Sequence, residues 1–416
     1  MRTFLFLQGH PSFFSLELAK ALKQQGCRVL RINLCVGDSL YWRGLPAVSF
    51  RGRFQHWRSF LSSFIAQENV SDIIYYGDTK PYHRVAADLA RQKGINAFVY
   101  EFGYLRPDWI TLERFGMATN SHFPTDTALI GQIAERLPPP DLACRFPYSQ
   151  LQELSHEIIY HFSTLLLGWL YPFYRAERYY NLVFEYLHGI PGQLQSGKNH
   201  RLATRSIDRM ITQKSRFFLY PLQLQSDAQI QFHSPFEHQR DAITTVMESF
   251  SAHAEKQSQL IFKQHPLDNG AEHWQRHILQ VGHRLGIADR TQYLIGGNLN
   301  QLLDHAAGCI VINSTVGLLA LQQGCPVKTL GTAVYDIEGI TDQGSLDGFF
   351  KNPFKPDMKM VRNLVRALAG TIQVKGNFFS NAGRSAAVSA AVKMLLENRV
   401  NGEGAFVDPP PRAASP

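Results

Sequence analysis

Apolar runs of strand length alternate with amphipathic stretches of helix length through most of this chain, and turn residues separate them. Thr3–Leu7 predicts a buried strand, Gln8–Ser12 a loop, and Phe14–Gln25 a helix that Gly26 ends before a strand over Val29–Leu34. A helix near Trp57–Gln67, a strand at Asp72–Tyr76, the loop Gly77–Lys80, a helix over Tyr82–Lys93 and a strand at Ala97–Tyr100 continue the alternation. This order opens a doubly wound sheet, in which the loops at Gly77-Asp78 and Glu101-Phe102-Gly103 share one sheet edge.

Pro138-Pro139-Pro140 marks a connection, and Leu151 to Asn181 reads as one long aromatic helix with Arg175 and Arg178 near its end. The pattern then restarts. Strands are expected at Arg216–Leu222, Gln259–Lys263, Thr291–Leu294, Gly308–Ile312 and Pro326–Leu330. Helices are expected at Phe236–Gln257, Glu272–Leu285, Asn300–His305, Leu318–Gln323 and Met358–Thr371. The expectation is an α/β chain of two Rossmann-like domains facing across a cleft. The first spans residues 1–150, a helical aromatic and basic connector spans 151–214, and the second spans 215–395. Residues 396–416, with Pro409-Pro410-Pro411 and small side chains, are expected to be a disordered tail.

Composition narrows the partners. The 416 residues suffice for two cores, and a net charge of +8 favours nucleic acid, anionic lipid or phosphorylated substrates without choosing among them. The cysteines Cys27, Cys35, Cys144, Cys309 and Cys325 are scattered, with no spacing for zinc or a redox pair, and read as small buried groups in a reducing compartment. Met1–Leu7 lacks the length of a signal-peptide core, and Phe162–Phe173 is shorter than the roughly 20 residues that span a bilayer. A cytoplasmic protein is the expectation.

The first chemical candidate is Lys263-Gln264-His265-Pro266. An apolar run stops there on a cation, an imidazole and a proline, at the carboxyl end of an expected parallel strand, where open α/β sheets bind ligands. The groups suit a phosphate or a base, and a surface lysine beside a satisfied histidine fits the same residues. Asn313-Ser314-Thr315-Val316-Gly317 is the second, a strand-to-helix turn that offers hydroxyls and helix amides to an anion and equally fits an ordinary helix cap. On one edge the two form a nucleotide-phosphate pocket.

Other motifs fail. Gly192–Lys198 approaches a phosphate-binding loop, but Asn199 stands where magnesium needs Ser or Thr, and Lys198–Arg205 reads better as a basic flexible loop. No GxGxxG follows a strand, and DxD, HExxH and GxSxG are missing from the sequence. The isolated loop carboxylates Asp78, Glu101 and Asp227 remain, and Glu101 and Asp227 come from opposite halves.

As an ordered set these segments resemble the capsule polysaccharide synthesis family, in its KpsS/LipB type. The resemblance covers most of residues 1–390. It rests on Phe6-Leu7-Gln8-Gly9, Tyr76-Gly77-Asp78 with His83, Glu101-Phe102-Gly103-Tyr104-Leu105-Arg106-Pro107, Pro221-Leu222-Gln223 with Asp227, Gln264-His265-Pro266 and Asn313–Gly317. It implies a GT-B-like, retaining, metal-independent transferase that moves β-Kdo from CMP-β-Kdo to a lysophosphatidylglycerol terminus and so begins a poly-Kdo linker. By position, His265 contacts CMP, with Lys263, Gln264 and Pro266 beside it, and Asn313, Ser314 and Thr315 hold phosphate. Glu101 matches the first acid of an acidic-acidic-glycine motif whose second acid is here Phe102. Asp227 matches the nucleophile of a Gln-x-x-x-Asp stretch, and Arg106 suits the Kdo carboxylate. Gln8, His10, Asp78 and His83 are the acceptor-side candidates. The implied partners are the lipid acceptor, the anionic inner-membrane surface and other capsule synthesis and export proteins, with no nucleic acid. Two rival readings are a non-catalytic export accessory and a transferase of another nucleotide sugar.

Overall fold

The computed structural model describes residues 1–176 and 196–413. Of these, 1–124, 128–176 and 365–413 form one compact unit, and 125–127 with 196–364 form a second.

The first unit is built on a seven-stranded sheet of order β12-β6-β5-β4-β1-β2-β3. Its strands are β1 (Thr3–Phe6), β2 (Arg28–Asn33), β3 (Val48–Ser49), β4 (Asp72–Tyr76), β5 (Asn96–Phe102), β6 (Trp109–Arg114) and β12 (Gln373–Lys375). The strands β1 to β5 run parallel, whereas β6 is antiparallel to β5 and β12 antiparallel to β6. Period-two alternation decides which residues meet which layer. Phe4 and Phe6 enter one core with Phe14 and Leu18, while Leu5 and Leu7 enter the other with Trp57 and Ile73. The helix Pro81–Lys93 shows the local logic: proline sits in its first turn, and Gly94 ends it at φ 65°, where a side chain is strained.

The second unit carries an all-parallel five-stranded sheet, order β11-β10-β7-β8-β9. Its strands are β7 (Phe217–Pro221), β8 (Gln259–Lys263), β9 (Thr291–Leu294), β10 (Gly308–Val311) and β11 (Val327–Thr329). β7, β8 and β10 are almost wholly buried apolar runs, as strands covered by helices on both faces must be. Two Rossmann-like units are thus present, as the sequence pattern predicts.

Four expectations need correction. The second domain does not extend to residue 395, because β12 pairs with β6 of the first sheet and the helix Asn381–Leu396 packs on the helix Phe14–Gln24. The chain returns to the first unit within the helix Met358–Thr371. Residues 396–413 are not a loose tail either: Val400 and Ala405 are buried, Val407 N donates to His122 O (2.8 Å), and Phe406 stacks on His122 at 4.2 Å. The long helix expected from Leu151 ends at Leu166, where a single turn at Gly168–Leu170 and then Pro172 break it. Its expected end, with Arg178 and Asn181, lies outside the described residues, as does Gly192–Gln195. Finally, Lys198–Arg205 is not a loop but part of the helix Ser196–Thr212. Among the described residues no helix is long and apolar enough to cross a membrane.

Candidate functional site

Strand order locates the site in each unit. A crevice opens at the carboxyl edge wherever consecutive connections leave a strand in opposite directions. In the first sheet that point lies between β1 and β4, so the segments after them, Gln8–His10 and Gly77–Lys80, line it. In the second it lies between β7 and β10, so Leu222–Gln223 and Ile312–Thr315 line it, with the end of β8 alongside.

In the second unit the crevice is braced before it is furnished. Gln223 Nε2 donates to Asn313 Oδ1 (3.0 Å), and Asn313 Nδ2 donates to Gln229 O (2.7 Å) and His233 O (3.1 Å). Asn313 therefore clamps the short helix Ala228–His233 against the end of β10. Asp227 caps that helix, accepting from Gln229 N at 2.9 Å, which fixes the half-buried carboxylate relative to Ser314. Ser314 in turn caps the helix Thr315–Gln322, accepting from Val316 N at 3.2 Å, and its carbonyl takes the Tyr335 hydroxyl hydrogen bond.

At the end of β8, Lys263 is only 8% exposed, and its ammonium has no hydrogen-bond or ion-pair partner among the described residues. Burial pushes its pKa down from the usual lysine range. The stem is buried while the nitrogen still reaches the surface at the strand's carboxyl end, a position suited to an anion. Gln264 presents a buried Oε1 with no hydrogen-bond partner, while its Nε2 lies 3.4 Å from Asp268 Oδ1. His265 Nδ1 accepts from Leu267 N at 3.1 Å, so the neutral ring carries its proton on Nε2. Pro266 is exposed behind it.

In the first unit the acceptor-side candidates divide. Gln8 is committed: Nε2 donates to the Tyr160 (2.6 Å) and Tyr174 (2.8 Å) hydroxyls, and Oε1 accepts from Lys80 Nζ (3.1 Å). Asp78 accepts from Met117 N (2.9 Å) and Asn120 Nδ2 (3.1 Å), holding a turn. His83, fully buried, meets Gly77 O through Nδ1 at 2.8 Å. His10 differs. It is buried in an aromatic cage, stacked on Phe378 at 4.4 Å with Tyr76, Phe102 and Phe379 edge-on, and neither ring nitrogen has a hydrogen-bond partner. Its Nε2 lies 3.9 Å from Glu157 Oε1, whose other oxygen is 2.9 Å from His161 Nε2. Burial drives the His10 pKa down to about 3, against the pull of Glu157.

Glu101 sits within β5, opposite Thr111, not in the loop expected for it. Arg106 is exposed, with its guanidinium 4.9 Å above the Phe102 ring. Tyr76 shows that these groups share one neighbourhood: after burial, Glu101 and Glu157 raise its pKa and Arg106 opposes them. The sequence did not single out Lys80, Glu157, Tyr160 or Phe378. Lys80, at the start of a helix after β4, had a strand-end signal; the others come from distant elements with none. Among the described residues no group of three or more His, Cys, Asp or Glu is placed to hold a metal ion.

Comparison with known proteins agrees with the resemblance. Residues 71–379 match the family described as capsule polysaccharide biosynthesis protein. The chain is 30% identical to the capsule polysaccharide export protein KpsS of Escherichia coli over 386 residues, covering 91% of this chain and 97% of the relative. It is also 30% identical to the capsule polysaccharide modification protein LipB of Neisseria meningitidis serogroup A, covering 90% of this chain and 91% of the relative. Among solved structures, the beta Kdo 2,7 transferase KpsC of Thermosulfurimonas dismutans aligns over 96% of this chain and 99% of its own, at 13% identity and a TM-score of 0.45.

Proposed function

The chain belongs to the capsule polysaccharide biosynthesis family, and on that premise we propose that it is a retaining glycosyltransferase moving β-Kdo from CMP-β-Kdo to a lysophosphatidylglycerol terminus. The observation that carries the reading is Lys263, a largely buried side chain whose ammonium has no partner among the described residues and still reaches the surface, placed where a sheet of this order binds ligands. The second unit is then the donor side. Lys263, the Ser314 and Thr315 hydroxyls and the first amides of the helix Thr315–Gln322 neutralise the CMP phosphate, and His265 Nε2 donates to the nucleotide. Charge neutralisation by Lys263 gives a leaving phosphate what a metal ion would supply, so chelator leaves the rate unchanged in this reading.

Asp227, held by its cap, is the nucleophile, and Glu101 is the acid/base that takes the acceptor hydroxyl proton. Arg106, exposed and lodged on Phe102, pairs with the Kdo carboxylate. The work takes place at the cytoplasmic face of the inner membrane, beside other capsule synthesis and export proteins.

The test is CMP release with CMP-Kdo and synthetic lysophosphatidylglycerol, comparing wild type with His265→Ala and Asp227→Ala. The expected result is turnover by wild type and none by either folded variant. No wild-type turnover with any nucleotide sugar, but retained lipid-glycan binding, replaces this reading with that of an export accessory. Turnover surviving Asp227→Ala removes the nucleophile assignment.

A further inference from the structure

Amphipathic helices in water normally turn their apolar stripe inward. The helix Gln150–Leu166 does the reverse. His156 and Glu157, then Tyr160 and Thr164 at three- and four-residue steps, form the stripe turned toward the rest of the first unit. There Tyr160 receives the Gln8 hydrogen bond, Tyr41 lies 2.9 Å from His156, and Glu157 approaches His10. The opposite stripe and the turn beyond it carry Leu151, Ile159, Leu165, Leu166 and Trp169. Leu151, Leu166 and Trp169 are more than 70% exposed. More than half of the large apolar side chains exposed among the described residues fall between Leu151 and Phe173. A patch so concentrated marks an interaction surface.

Charge selects the occupant. The only carboxylates between Leu151 and Arg175 are Glu153 and Glu157, and Glu157 is turned to His10 and His161. The turn after the helix is bordered instead by exposed arginines: Arg51 over Tyr171 at 5.6 Å, Arg53 over Phe173 at 5.1 Å, and Arg175 over Phe54 at 5.7 Å. Apolar side chains with an interfacial tryptophan and a rim of arginines match a bilayer surface bearing anionic headgroups.

We propose that this outward stripe and its arginine rim dock the protein on an anionic lipid surface, which brings a transferase to a lipid-borne acceptor. The inference rests on the transferase reading for its purpose, though not for its test. Binding needs no donor, so its failure is separable from failure of the reaction.

Sedimentation with phosphatidylcholine vesicles, with and without phosphatidylglycerol, is the experiment. Wild type is expected on the anionic vesicles and not on the neutral ones. Leu166→Glu with Trp169→Glu should weaken binding at least about tenfold, and Arg51→Glu or Arg53→Glu about fivefold each, with added salt acting like the arginine changes. All variants should keep the wild-type melting temperature. The double variant should keep CMP release on a detergent-free short-chain acceptor. Wild type that ignores anionic vesicles, or folded glutamate variants that bind them equally, overturns the proposal. So does a wild-type oligomer that the double variant dissociates without any vesicle binding, since the stripe would then cover a second copy. Vesicle binding without turnover leaves this inference standing and removes the transferase reading.

Discussion

At the scale of single residues, two buried ionisable groups give opposite tests. Lys263 is a cation that folding partly desolvates and that a bound anion would pair. Replacing it with Met should leave the melting temperature unchanged or higher, because the apolar stem stays packed and the partly desolvated charge is gone. The same change should weaken CMP binding by roughly 10- to 100-fold, the loss of a charge-assisted contact of about 1.5–3 kcal/mol, measured by titration calorimetry. A loss of stability with CMP affinity intact would refute this role. Glu113, on β6, is fully buried, and its carboxylate accepts from the Tyr104 and Ser121 hydroxyls. Burial nevertheless raises its pKa from 4.5 to about 7. The folded state therefore keeps a proton that the unfolded chain releases. That contribution is complete below the unfolded value and is lost as pH rises through the folded one, a fall of roughly 3 kcal/mol. Urea melts from pH 4 upward should show this decline, and Glu113→Gln should flatten it.

At the scale of elements, caps and clamps decide where chemistry is held. Asp227 opens a helix of six residues, so Asp227→Ala should lower stability by about 1 kcal/mol through the lost cap, whereas Asp227→Asn keeps an N-cap acceptor and should melt like wild type. CMP release should vanish in both, because the amide is no nucleophile. Activity in Asp227→Asn would reduce the residue to its structural part. The sequence placed Ser314 and Lys263 at strand ends because the residues that stop a strand are themselves the signal. It gave no hint of Asn313 as the clamp on a neighbouring helix, since an asparagine at a turn serves many geometries. Glu101 was misplaced by one strand turn for a related reason: β5 continues through it only because β6, a strand of ordinary composition after Pro107, comes back to pair with it.

At the scale of the whole molecule, the return of residues 365–413 to the first unit has the largest consequence. Phe378 and Phe379 complete the cage around His10, and Val374, Ala387 and Leu395 sit in the same core as Phe4 and Leu18. A chain ending at Leu364 should therefore lose the first unit's cooperative melt, even though it retains the sheet edge β1 to β6. Phe378→Ala, a milder cut, should cost about 3–5 kcal/mol in a denaturant series. Wild-type stability in either would mean that the first unit closes without its C-terminal segment.

By itself the sequence determined the alternation of strand and helix, the two α/β units with their parallel strands and the strand-end residues Lys263, His265 and Ser314. These follow from local causes: hydrophobic period, the residues that stop a strand, and caps. Only the tertiary structure decided that β12 and the last helix belong to the first unit, that Gln8 and Asp78 are tied up internally while His83 is buried with only Nδ1 engaged, and that Glu157 meets His10. Those facts depend on pairings between residues more than a hundred positions apart, or on which donor finds which acceptor once the chain is compact. The outward apolar stripe of the helix Gln150–Leu166 belongs to the same class. Its sequence shows two faces, and packing alone settled which of them faces out.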